Sequence, residues 1–98
     1  MSTRDLEQAF SARIHESIQE TRALNYFPTR FEHMLAEQSA VSLAKKLVKS
    51  GELQDGLKAV VKLGRKDLTM EAIMMEPAFE KLFSKAELQA AEWRLSQA

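Results

Sequence analysis

The 98-residue chain carries fourteen basic and fourteen acidic side chains, is 45% hydrophobic and has no cysteine. Zero net charge excludes a bulk pull toward nucleic acid or an anionic membrane, so any electrostatic function has to come from local asymmetry. The missing thiols exclude disulfides, thiolate catalysis and Cys-ligated zinc, and no apolar run approaches the ~20 residues of a membrane span.

This length is expected to hold one hydrophobic core, hence a single helical domain over residues 1–98. The first residues, Met1-Ser2-Thr3-Arg4-Asp5, are polar and lack the apolar stretch of a signal peptide. A cytoplasmic protein is the expectation.

In chain order, Leu6, Phe10, Ile14 and Ile18 recur every fourth residue, the period of a helix with one apolar face. It is predicted to run from about residue 4 to 24, with Ser2 or Thr3 as its cap. Asn25-Tyr26-Phe27-Pro28 breaks the pattern. Pro28 suits the first turn of a second helix, where its missing N–H is not needed. That helix carries Phe31, Met34 and Leu35 and ends near Glu37. Ser39 caps a third, with Val41, Ala44, Leu47 and Val48 as its stripe and Gly51 as a left-handed stop.

Leu53 leads into a short fourth helix with Leu57, Val60 and Val61, closed by Gly64. Thr69 caps a fifth, with Leu68 and Ile73 placed as a hydrophobic staple, and a further turn holds Phe79 and Leu82 before Ser84. Ser84-Lys85-Ala86-Glu87 reads as a capping box, with Phe83 and Leu88 as its staple. In this last helix the apolar stripe of Leu88, Ala91 and Leu95 is interrupted by charge.

No segment alternates with a strand period and no repeat is visible. The expectation is all-α: a compact single-domain array of five to six mostly short helices, which must share one core because short helices are not stable alone. The expected core is Phe10, Ile14, Ile18, Phe31, Leu35, Leu43, Leu47, Leu57, Val61, Ile73, Phe79, Leu82 and Leu88.

Several short segments carry a resemblance: Tyr26-Phe27-Pro28-Thr29-Arg30-Phe31, Ala44-Lys45-Lys46-Leu47, Asp55-Gly56, Gly64-Arg65-Lys66-Asp67-Leu68-Thr69-Met70-Glu71, Leu82-Phe83 and Arg94-Leu95. Together they resemble a family of small stand-alone bacterial helical proteins with the pattern Y-N-P-T-R-F, A-K-R-L-L, D-G, G-R-L-D-L-T-V-E. The resemblance spans about residues 9 to 95. It implies a bacterial, cytoplasmic, helical protein and brings no activity with it. Phe27 departs from the pattern's Asn and so removes a natural N-cap. Ser39-Ala40 replaces Gly-Gly, and Lys66 replaces an apolar residue.

Two surfaces are candidates for function. The first is apolar: Tyr26, Phe27, Met70, Met74, Met75 and Trp93 exceed what short helices need to bury. Either the core wraps the fifth helix on most sides, or Met70, Met74, Met75 and Trp93 form an interface, since flexible methionines and an aromatic anchor suit a protein partner or a homodimer. The second is basic. Over residues 45–66 seven basic side chains (Lys45, Lys46, Lys49, Lys58, Lys62, Arg65 and Lys66) face two acidic ones (Glu52 and Asp55). That segment is therefore +5 and the remainder −5. If the third and fourth helices lie side by side, these cations form a face for nucleic-acid phosphates.

A third grouping, Arg30, Asp55, Arg65, Asp67 and Glu71, either holds a small anion or substrate or serves turns, caps and ion pairs. It has no recognised catalytic spacing. His15 and His33 stand in different helices with no third ligand, so neither metal nor cofactor is expected. The reading is a non-enzymatic protein-interaction or adaptor module, with a nucleic-acid-binding or regulatory protein as the alternative.

Overall fold

The computed structural model describes residues 2–50 and 55–98, and among them lie six α-helices, two 3₁₀ turns and no strand. The helices are α1 (Thr3–Ala23), α2 (Thr29–Glu37), α3 (Ala40–Val48), α4 (Asp55–Lys62), α5 (Met70–Met74) and α6 (Lys85–Gln97). The 3₁₀ turns are Lys66–Leu68, before α5, and Glu80–Leu82, before α6. The fold is all-α, and no described helix is long and apolar enough to cross a membrane.

Local chemistry sets most of the helix ends. Ser2, Ser39, Thr69 and Ser84 each accept a hydrogen bond from the backbone N–H three residues on, at 3.1 Å. These caps satisfy donors that the first helical turn leaves open. At Ser84 the box is complete, because Glu87 Oε1 accepts from the Ser84 N–H at 2.8 Å.

Two helices stop in the same way. Gly64, at φ +78°, follows α4 with Gly64 N–H donating to Val61 O and Arg65 N–H to Val60 O. Asn25, at φ +68°, follows α1 with Asn25 N–H donating to Arg22 O and Tyr26 N–H to Thr21 O. Both are left-handed caps in which two orphan carbonyls are recovered. The expected stop at Gly51 and the lead-in at Leu53 lie outside the described residues. α2 begins at Thr29, one residue later than Pro28 suggests: Pro28 itself stands in the cap position, and no side chain caps the helix.

The core forms where α1, α3, α5 and α6 meet. Phe10 is fully buried, with the rings of Phe79 and Phe83 edge-on to it at 5.5 and 5.3 Å, a favoured aromatic arrangement. Of the expected core, Phe10, Ile14, Ile18, Leu43, Leu57, Ile73 and Phe79 are buried, while Phe31, Leu35, Leu47, Leu82 and Leu88 are half-buried against them. On α4 the register differs by one residue: Val60 is buried and Val61 is not.

α5 is only five residues long but is packed by α1, α3 and α6 together with the turn before it. A helix enclosed on several sides buries more than one stripe. Met70 and Met74 are therefore core, at 8% and 0% exposure, instead of an external methionine surface.

Candidate functional site

The five polar or charged residues buried among the described residues are Ser17, Thr21, Thr69, Glu71 and Arg94. Four of them, Ser17, Thr21, Thr69 and Glu71, line one cleft of about 330 Å³. Buried polar groups are costly unless paired, so their concentration on one cavity wall marks it out.

The cleft is built from the C-terminal half of α1, the Tyr26–Pro28 connection, the first turns of α2 and α4, and the segment leading into α5. The left-handed turn at Asn25 redirects the chain from α1 so that Tyr26, Phe27 and Pro28 form its upper edge. The Tyr26 hydroxyl lies 3.6 Å from where a Cβ on Gly56 would stand. Ile18, Phe31, Met34, Leu57, Val60 and Met70 supply apolar wall. Arg22 clamps the outside of this corner, donating to both Glu32 carboxylate oxygens and lying 5.7 Å from the Phe27 ring centroid.

The hydrogen bonds inside the cleft run in one direction. Ser17 Oγ donates to Ile14 O at 2.7 Å, Thr21 Oγ1 to Ser17 O at 2.8 Å and Thr69 Oγ1 to Lys66 O at 2.7 Å. Each hydroxyl has one proton, so all three are spent on the backbone. Glu71 Oε2 accepts from Arg94 Nε at 2.9 Å, with the two side chains 5% and 1% exposed. The same guanidinium donates through Nη1 to Ser50 O at 2.9 Å, tying α6 to the end of α3. Glu71 Oε1 accepts nothing among the described residues, yet no fully enclosed side-chain oxygen there lacks a partner. That oxygen therefore reaches accessible space, and the space Glu71 lines is the cleft.

Of the polar set read from the sequence, Arg30, Asp55 and Glu71 meet at the cleft. Arg65 and Asp67 do not. They pair with each other through two hydrogen bonds of 3.1 and 3.2 Å, both exposed to solvent. The Arg65 hydrogen bond holds the Asp67 carboxyl below the usual carboxylate range and raises the Arg65 guanidinium.

In the apolar set, Met75 remains half-buried beside Leu88 and Glu92 in a second, more open depression, and Trp93, 52% exposed, is not among the residues lining it. With Met70 and Met74 in the core, the four residues do not form one surface.

In the basic set, Lys46, Lys49, Lys58, Lys62 and Lys66 are exposed and Lys45 is half-buried. α4 packs mainly against the Lys66–Leu68 turn and has at most slight contact with α3, so the described parts of the two helices do not pack extensively side by side. Both histidines are exposed, and no group of three metal-ligating side chains occurs among the described residues.

Sequence reasoning missed Arg94. The charge read as interrupting the stripe is Glu92, which is exposed; the signal for Arg94 lies in its spacing three residues after the fully buried Ala91, which puts it on the inward face of α6. Compared with family models, curated proteins and solved structures, the chain matches none.

Proposed function

We propose that the chain is a non-enzymatic interaction module of a bacterial cytoplasm, and that the cleft is the surface through which it holds a protein partner. The observation that carries this reading is an apolar cavity edged by Phe27, which is 54% exposed. A large aromatic left in solvent beside an apolar cavity is the usual anchor of a binding surface. The cleft sits at the low end of the ~300–1,000 Å³ range of ligand pockets, which suits a single inserted side chain. The charged groups weighed as acid, base or anion donor are mostly engaged elsewhere: Glu71 by Arg94, and Arg65 and Asp67 by each other. The bacterial, cytoplasmic setting is the one implied by the family resemblance and belongs to the same proposal.

The test is a comparison of Phe27→Ser with wild type in affinity capture from bacterial lysate, circular dichroism confirming that both are folded. A protein retained by wild type and lost from the variant supports the reading. Identical capture profiles refute it.

The second reading, nucleic-acid binding, keeps one observation in its favour: among the described residues none of the six lysines of the 45–66 segment forms an ion pair. Reversal of Lys58 and Lys62 to Glu should abolish a low-salt shift of duplex DNA, if wild type produces one.

A further inference from the structure

We infer that the side chain the cleft selects is a tryptophan of the partner, held through its indole N–H. This rests on the proposed role of the cleft in protein binding and adds the chemistry of the occupant.

The interior side chains are acceptors. Ser17 and Thr21 have spent their only protons on α1 carbonyls and keep lone pairs, and Glu71 presents an oxygen that no other described residue uses. The side-chain donors among the lining residues, Arg30 and the Tyr26 hydroxyl, belong to less buried residues. An occupant reaching the floor must therefore bring a donor.

It must also be neutral. The Glu71 carboxylate is already compensated by the buried Arg94 guanidinium 2.9 Å away. A lysine or arginine inserted beside them would add a buried cation with no spare charge of that pair to meet it, at a heavy desolvation cost. Tyrosine, serine, asparagine and glutamine each bring an acceptor along with their donor, and no buried side chain of the cleft among the described residues has a proton left to meet it. The indole N–H is a donor with no accompanying acceptor, on a flat apolar body that suits walls made by Ile18, Phe31, Leu57 and Met70.

The experiment uses the wild-type protein labelled with ¹⁵N and two side-chain analogues of the same shape. These are 3-methylindole, which has the N–H, and 3-methylbenzofuran, which carries a ring oxygen instead. Saturable shifts at the amides of Thr21, Tyr26, Met70 and Glu71 are expected with 3-methylindole, at an affinity at least ~10-fold above that of 3-methylbenzofuran, since each factor of ten needs only ~1.4 kcal/mol of discrimination. N-acetyl-tryptophanamide should shift the same amides.

Equal affinities, no binding of 3-methylindole, or shifts confined to α6 would each overturn the inference. If Phe27→Ser abolishes capture of a partner while the two analogues bind alike, the protein-binding role stands and the indole assignment falls. If capture is unaffected while 3-methylindole is preferred, the partner falls and the donor preference stands. Concentration-dependent shifts of these amides in the ligand-free protein, abolished by Trp93→Ala, would replace the separate partner with a second copy of the chain.

Discussion

Arg94 and Glu71 stand 23 residues apart and meet at 2.9 Å, each almost wholly removed from solvent. The pair fixes α6 against α5, and through Ser50 O it fixes α6 to α3 as well. Removing one partner strands a buried charge, whereas replacing both with apolar groups does not. Arg94→Met should therefore cost about 3–5 kcal/mol in urea denaturation, a large share of the ~5–15 kcal/mol that holds a typical domain. Adding Glu71→Leu to it should restore stability rather than lower it further. A double variant less stable than Arg94→Met alone would contradict the assignment.

Met74 and Met75 offer a contrast between neighbours of the same type. Met74 is fully buried and Met75 half-buried. Met74→Ala should cost about 2–5 kcal/mol and Met75→Ala no more than about half of that. Thermal unfolding of the two variants measures the difference.

The two left-handed caps separate strain from packing. A Cβ on Gly64 would meet nothing within 4 Å, so Gly64→Ala changes only the backbone term. It should cost about 1–2 kcal/mol by chemical denaturation. Asn25 occupies the same conformation as a residue that tolerates it. Asn25→Gly should be neutral within about 1 kcal/mol.

The Arg65–Asp67 pair gives a pH signature. Asp67 is held below its ordinary 3.8 by the Arg65 hydrogen bond. A carboxylate lowered in the folded state contributes above its unfolded pKa and loses that contribution as pH falls through the folded one. The pair is therefore intact at neutral pH and breaks only below about 4. Both side chains are well exposed, so stability should hardly change. In an NMR titration Asp67 should protonate below its ordinary 3.8, and Arg65→Gln should raise its midpoint.

How much of this was readable in advance follows the range of each interaction. The caps at Ser39, Thr69 and Ser84 and the stop at Gly64 involve residues within five positions of each other, and the sequence displays them directly. The α1 stripe was legible for the same reason, since its four apolar residues have one period and one face. The enclosure of α5 was legible only as one of two alternatives, because the sequence shows a short helix without showing the three helices around it. The cleft was half legible: Arg30, Asp55 and Glu71 were grouped, but with Arg65 and Asp67, which the fold turns on each other. Arg94 was missed because its partner lies 23 residues away, and nothing local separates an inward arginine from an outward one.

α2 forms one wall of the cleft yet buries none of its own residues completely and leans mainly on α3. Its apolar face, with Phe31 and Met34, is thus left for an occupant to complete. Whatever fills the cavity would fasten this helix to the body of the domain, and local opening of α2 and release of the occupant would become coupled equilibria. Amide exchange in α2 would then slow with occupancy by the factor 1 + [L]/Kd, making the backbone of one short helix a gauge of how tightly the molecule is holding its guest.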